Sequence, residues 1–250
     1  MKLQPEAFAL EKTTIWSFKE RGDWATHKGS FRGNWSPYVP RNLIMRYSKP
    51  SDWVLDQFSG SGTTLIEAKL LNRNAIGIDI NADAIKLAEK NLQFSCAYQP
   101  KIFVRQGDST NLAFIKSDSI DFVCSHPPYA NIIKYSSNLQ GDLSCLTVSD
   151  FLQQMALVAR EAYRVLKQEC YCAIMIGDIR RNGKVFPLGF EMMKKFLEQG
   201  FALQEIIIKE QHNCRSSAYW KTRKVDFLLL AHEYIFVFKK GKIEGITLSK

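Results

Sequence analysis

Apolar residues follow two rhythms along this chain. Short runs such as Ile120-Asp121-Phe122-Val123-Cys124 and Tyr171 to Ile176 read as buried strands. By contrast, Phe151, Met155, Val158, Ala162 and Leu166 recur at spacings of three and four, the pattern of one helix face. Extending this reading gives strands at Trp53–Asp56, Ala75–Ile80, Ile102–Arg105, Ile120–Cys124, Tyr171–Ile176, Phe201–Lys209 and Glu233–Phe238. Helices are expected at Thr63–Asn72, Ala82–Phe94, Ser149–Leu166 and Pro187–Gln199, the last stopped by Gly200, with a short one over Val39–Tyr47. Strands alternating with helices predict an α/β fold, a mostly parallel seven-stranded sheet covered by helices on both faces.

Residues 1–50 break this pattern. They are irregular, with Trp16, Trp24, Phe31 and Trp35 set among Arg21, Lys28, Arg32 and Arg41. With 250 residues the chain is expected to be a single domain, residues 1–50 forming a segment that wraps its site. The net charge of +9 favours an acidic partner, nucleic acid first. Six cysteines without a CxxC pair, and four scattered histidines, argue against a disulfide framework or a metal site. Reduced, mostly buried thiols in a cytoplasmic protein are expected instead. The most apolar stretch, Phe227–Phe238, carries His232 and Glu233 and is too short to cross a membrane.

The chemistry-bearing residues fall at strand ends. Asp56-Gln57-Phe58-Ser59-Gly60-Ser61-Gly62-Thr63-Thr64 joins a strand to a helix, where glycines allow close ligand approach and helix N–H groups meet an anion. It matches neither a P-loop nor a full GxGxxG. Asp79-Ile80 ends the next strand, an acidic position suited to ribose hydroxyls or to a helix cap. Asp108-Ser109 follows the third, as an acceptor for a ring amino group or as a turn residue. His126-Pro127-Pro128-Tyr129 follows the fourth, where two prolines end the strand in a rigid turn. In open α/β sheets ligands bind beyond the carboxyl ends of the strands, where all four lie.

The glycine loop and the Pro-Pro-Tyr tetrad, in this order, resemble the amino-directed DNA methyltransferases, which methylate adenine N6 or cytosine N4. The resemblance runs from about Trp16 to Lys240, and His126 departs from it, since the tetrad usually opens with Asp, Asn or Ser. It implies a Rossmann-like methyltransferase fold and S-adenosylmethionine as cofactor. The methionine end would be held by the loop from Asp56 to Thr64 and by an N-terminal segment, His27 to Pro37, that includes Phe31. Asp79, Ile80, Asp108 and Ser109 would hold the nucleoside end. The target amine would give its hydrogens to His126 and to the carbonyl of Pro127, with Ser125 the alternative acceptor, and Tyr129 would stack on the flipped base. No metal is needed. A neutral imidazole can accept and imidazolium cannot, so activity is expected to fall below the His126 pKa.

Two segments are expected to face nucleic acid. One follows the tetrad and holds Lys134 and Tyr135. The other, Lys209–Lys224, holds His212, Arg215, Trp220, Lys221 and Arg223, with five basic residues against one acid. With no separate target-recognition domain expected, sequence choice is assigned to these loops together with a homodimer or a separate specificity subunit. Rival readings are an RNA amino-group methyltransferase, a protein-glutamine methyltransferase and a non-catalytic DNA-binding subunit.

Overall fold

The computed structural model describes residues 1–130, 139–212 and 226–241. In chain order they form β1 (Ile15–Trp16), α1 (Tyr38–Tyr47), β2 (Trp53–Asp56), α2 (Thr63–Leu70), β3 (Asn74–Asp79), α3 (Ala82–Asn91), β4 (Ile102–Gln106) and β5 (Ile120–Ser125). Then follow α4 (Val148–Val165), β6 (Leu166–Ile176), a hairpin of β7 (Ile179–Arg181) and β8 (Lys184–Phe186), α5 (Leu188–Leu197), β9 (Phe201–Glu210) and β10 (His232–Lys240). Eight strands make one sheet in the order β1-β9-β10-β6-β5-β2-β3-β4.

All seven expected strands are in that sheet, each within a few residues of its expected bounds except β6, which starts at Leu166 rather than Tyr171. The eighth, β1, pairs in parallel with β9 through Ile15–Ile208 and Trp16–Lys209. Only β10 runs against its neighbours, β6 and β9. It is the strand that follows β9 in the chain, and an antiparallel neighbour needs no crossover, whereas parallel neighbours do.

The apolar runs do not alternate because both sheet faces are covered. On β5, Val123 enters one core with Phe151, Met155 and Val158 of α4. Its neighbours Phe122 and Cys124 enter the other, with Val39 and Leu43 of α1 and Leu65 of α2. Phe151 is fully buried, and cutting such a side chain back to alanine costs about 3–5 kcal/mol. Helix starts are set locally. Asn81 caps α3 by accepting from Asp83 N, and Thr147 caps α4 by accepting from Asp150 N. Of the five described cysteines Cys124 and Cys172 are buried and Cys96, Cys145 and Cys170 are partly exposed, so fewer are buried than expected. Among the described residues no helix is long and apolar enough to cross a membrane.

Candidate active site

The carboxyl ends of β2, β3 and β5 converge on one cavity, and the loop after β2 forms its floor. That loop is held from three sides. Ser59 N donates to Ile78 O at 2.8 Å and Gly60 N to Asp79 Oδ2 at 2.9 Å, while Gln57 N donates to Ser125 Oγ at 2.9 Å. Gly60 has φ +50°, and a Cβ there would stand 3.0 Å from the Phe31 ring. Beneath the loop, Asp56 is buried and accepts from Phe58 N at 3.0 Å and from the Thr64 hydroxyl at 2.5 Å. Burial raises its pKa to about 6.

A second wall comes from the N-terminal segment. Asn34 bridges it to the loop, its Nδ2 donating to Ser61 Oγ at 3.0 Å while its Oδ1 accepts from the Thr63 hydroxyl. Phe31, Arg32, Gly33, Asn34 and Trp35 thereby line the cavity opposite Asp79, Ile80 and Asn81. Gly141, Asp142 and Leu143 close a third side next to Asp108 and Ser109, and His126 and Pro128 a fourth. Three carboxylates, those of Asp79, Asp108 and Asp142, thus share a pocket with the apolar surfaces of Phe31, Phe58 and Leu143. Burial pushes the Asp79 carboxyl up, with Asp142 adding to the shift. Arg32 adds a guanidinium to the same lining, and the mixture suits a ligand with hydroxyl or amino donors, a flat ring and charge of both signs.

His126 is the most constrained group of the site. Its ring stacks on Trp35, centroids 5.4 Å apart at 23°, and meets the Tyr129 ring edge-on at 5.6 Å. Its Nε2 lies 3.0 Å from the Tyr129 hydroxyl. That hydroxyl donates to Glu233 Oε1 at 2.5 Å, and Glu233 Oε2 lies 3.0 Å from Lys209 Nζ. Burial depresses the His126 pKa to about 4, partly offset by the Glu233 charge. Burial works against the Glu233 carboxylate too, yet the neighbouring Lys209 ammonium holds it below its usual value.

The expected site residues separate into two groups. Phe31, Phe58, Ser59, Gly60, Ser61, Asp79, Ile80, Asp108, Ser109, His126 and Pro128 line the cavity. His27, Asp56, Gly62, Thr63, Thr64, Pro127 and Tyr129 are outside its lining, and for all but Pro127 the local contacts explain why. His27 Nε2 is bound to Glu67 Oε1 at 2.7 Å, in a buried cluster with Trp24 and Arg41. Asp56, Thr63 and Thr64 shape the loop from behind, and Gly62 starts α2 at φ +87°. Tyr129, expected to stack on a base, has its hydroxyl between His126 and Glu233. Ser125 is fully buried with its Oγ accepting from Gln57 N, so it holds the loop rather than offering an acceptor to the cavity. His212, just past the end of β9, lies 2.9 Å from Ser17 Oγ. Lys134, Tyr135, Arg215, Trp220, Lys221 and Arg223 lie outside the described residues.

Sequence reasoning held Asp142 and Leu143 only as part of a substrate-facing segment, Ala130–Ser149, and Trp35 only as part of the His27–Pro37 segment. It expected Lys209 to face nucleic acid with Lys209–Lys224, where the structure pairs it with Glu233, and it missed the role of Glu233. Glu233 did leave a trace, as a carboxylate inside an otherwise apolar strand, where unpaired charge is rare.

Fold and cavity together define a Rossmann-like methyltransferase. The structure is similar to a SAM-dependent methyltransferase from Methanosarcina mazei, with a TM-score of 0.57 and 17% identity, over 79% of this chain and 96% of that one. It is also similar to TrmN from Thermus thermophilus, with a TM-score of 0.58 and 19% identity, over 84% of this chain and 50% of that one. A family model described as DNA methylase matches residues 4–90 and 120–248, and the chain belongs to that family. Family and fold imply S-adenosylmethionine as cofactor. A model described as RNA cap guanine-N2 methyltransferase matches residues 51–167.

Among curated proteins, the chain is 41% identical over 61 residues to the Type II methyltransferase M2.LlaDCHI of Lactococcus lactis subsp. cremoris, covering 24% of this chain and 23% of that protein. It is 55% identical over 53 residues to the Type II methyltransferase M1.MboII of Moraxella bovis, covering 20% of each. The matched stretches thus span about a quarter or less of these relatives' length.

Proposed function

We propose that this chain methylates the exocyclic amino group of a base in DNA, adenine N6 or cytosine N4. One observation carries the reading, the meeting of His126 and Pro128 with the glycine loop, Asp79 and Asp108 around a single cavity. A methyl donor on one wall then faces an amine acceptor on the other.

The residues suit the cofactor. At Gly60 a Cβ would crowd the Phe31 ring at 3.0 Å, at a φ of +50° that favours glycine, as a loop needs where a ligand approaches its backbone. Ser59 Oγ is buried at the cavity floor with no hydrogen-bond partner among the described residues. The N-terminus of α2 would meet the methionine carboxylate, Asp79 the ribose hydroxyls and Asp108 the adenine amino group. S-adenosylmethionine, when bound, supplies an electrophilic methyl group on a sulfonium.

The remaining work belongs to the chain. An amine conjugated to a ring has a delocalised lone pair and attacks poorly. His126, on the cavity wall, accepts a hydrogen bond from one N–H, and the family resemblance assigns the other to the carbonyl of Pro127, just behind that wall; together they draw the lone pair back to nitrogen. Prolines at 127 and 128 keep that carbonyl and the imidazole in fixed register, so much of the gain comes from orientation. With a pKa near 4, His126 is neutral and able to accept at physiological pH. The base must leave the duplex to reach this wall.

Nucleic acid as substrate is supported by the β7–β8 hairpin, which begins three residues after β6 ends beside the site. Arg181 and Lys184 face each other across it, and no acidic residue lies between Ile179 and Phe186. Cationic side chains gathered on such a ribbon suit phosphate contact. The test is His126→Ala. Methyl transfer to DNA should fall at least about 100-fold while cofactor affinity stays within a few-fold. Unchanged transfer would remove His126 from the mechanism.

A further inference from the structure

His126 has two ring nitrogens, and only an unprotonated one can accept a hydrogen from the base. Proton bookkeeping along its neighbours decides which. Lys209 can only donate, and it contacts Glu233 Oε2 at 3.0 Å. Glu233, ionised beside that ammonium, can only accept, and its Oε1 is 2.5 Å from the Tyr129 hydroxyl. The single phenolic proton is therefore committed to Glu233. The Tyr129 oxygen must then accept at its 3.0 Å contact with His126, which makes Nε2 the protonated nitrogen. Nδ1 is left with its lone pair and makes no hydrogen bond among the described residues. His126 lines the cavity and Tyr129 does not, so the Nε2 edge is turned away from the ligand space.

We propose that Glu233, acting through Tyr129, is a positioning residue that fixes His126 as the tautomer with Nδ1 unprotonated, the form able to accept from the target amine. This rests on the methyltransferase reading above. Glu233 and Lys209 sit opposite each other on β10 and β9, so the polarity of the relay is written into the sheet register. The Trp35 face holds the ring in plane while the relay holds its rotation about that stack. The other charged groups that line the same cavity are Arg32, Asp79, Asp108 and Asp142.

Glu233→Gln tests the direction of the relay. Lys209 would draw the glutamine carbonyl toward itself and leave the amide NH2 facing Tyr129. The tyrosine would then donate to Nε2 and force the proton onto Nδ1, replacing an acceptor by a donor at the cavity wall. Tyr129→Phe, which keeps the shape, would only free the ring to mix both forms. The primary readout is imidazole 15N NMR at neutral pH without cofactor, with methyl-transfer kinetics beside it. Expected are an unprotonated Nδ1 in the parent, an unprotonated Nε2 in Glu233→Gln and a mixture in Tyr129→Phe. In Glu233→Gln, kcat should drop on the order of 100-fold, and in Tyr129→Phe roughly 10-fold, with cofactor KM within about two-fold in both. A protonated Nδ1 in the parent, or an unaltered tautomer in a folded Glu233→Gln, overturns the proposal. The expected tautomers without methylation of any base would leave the relay standing and overturn the methyltransferase reading.

Discussion

The imidazole of His126 lies almost flat on the indole of Trp35, 5.4 Å between centroids, and the indole is itself buried. This stacking shields His126 from water, and burial is the main cause of its pKa of about 4. The rate profile of the parent should then be flat from about pH 5.5 to 8 and fall only toward 4. From the sequence alone, a histidine of ordinary pKa would lose activity near 6, so the burial moves that expected fall by about two units. Trp35→Leu should admit water, raise the His126 pKa toward 6.5 and shift the acid limb up by roughly one unit. Superimposable pH–rate profiles of variant and parent would contradict this.

Asp56 and His126 pull stability in opposite directions between pH 4 and 6.5. The Asp56 pKa is raised to about 6, so its contribution is present at low pH and lost as pH rises through 6. The His126 pKa is lowered, so its contribution is present above 6.5 and lost as pH falls toward 4. The two oppose each other over most of this window. Asp56→Asn should leave the histidine effect uncompensated, and denaturant midpoints should then decline more steeply on acidification than in the parent. An equal or gentler decline would mean that Asp56 is ionised throughout.

Gly60→Ala places a methyl group 3.0 Å from the Phe31 ring at a φ of +50°. The strain falls on the face that meets the cofactor, while the β2 and α2 cores are untouched. S-adenosylmethionine affinity, measured by titration calorimetry, should weaken by about 10-fold or more with thermal stability reduced by only about 1 kcal/mol. Parental affinity in the variant would place the cofactor elsewhere.

The hairpin makes a separable prediction. Arg181→Ala and Lys184→Ala should weaken binding of any duplex DNA. Each should also flatten the slope of log Kobs against log[salt] by about 0.9 for every phosphate that the parent side chain neutralises. Cofactor affinity should not change. A salt slope equal to that of the parent would take the hairpin off the DNA.

Much of this was legible in the chain because both signals are local. Five helices and seven strands announced themselves by period, and the loop and tetrad by their place at strand ends. β1 was not legible, since two residues carry no period and Ile15–Trp16 becomes a strand only by pairing with β9. The β7–β8 hairpin did carry a signal in Asn182-Gly183, a turn pair with φ +49° and +75°. That Asp56, Thr64 and His27 lie behind the cavity lining was not legible, because spacing locates a loop and not the side of it on which a side chain lies. Asp142 and Glu233 reach the site from distant parts of the chain through sheet register and chain packing, and no local pattern encodes that.

The central claim is methyl transfer to a base amine in DNA. The chain should be incubated with unmethylated duplex DNA and S-adenosylmethionine, with RNA in parallel, and the products digested to nucleosides for mass spectrometry. N6-methyladenine or N4-methylcytosine from the DNA, absent when His126→Ala replaces the parent, is the predicted result. No methylated nucleoside from DNA, or methylation confined to guanine in the RNA, would contradict it.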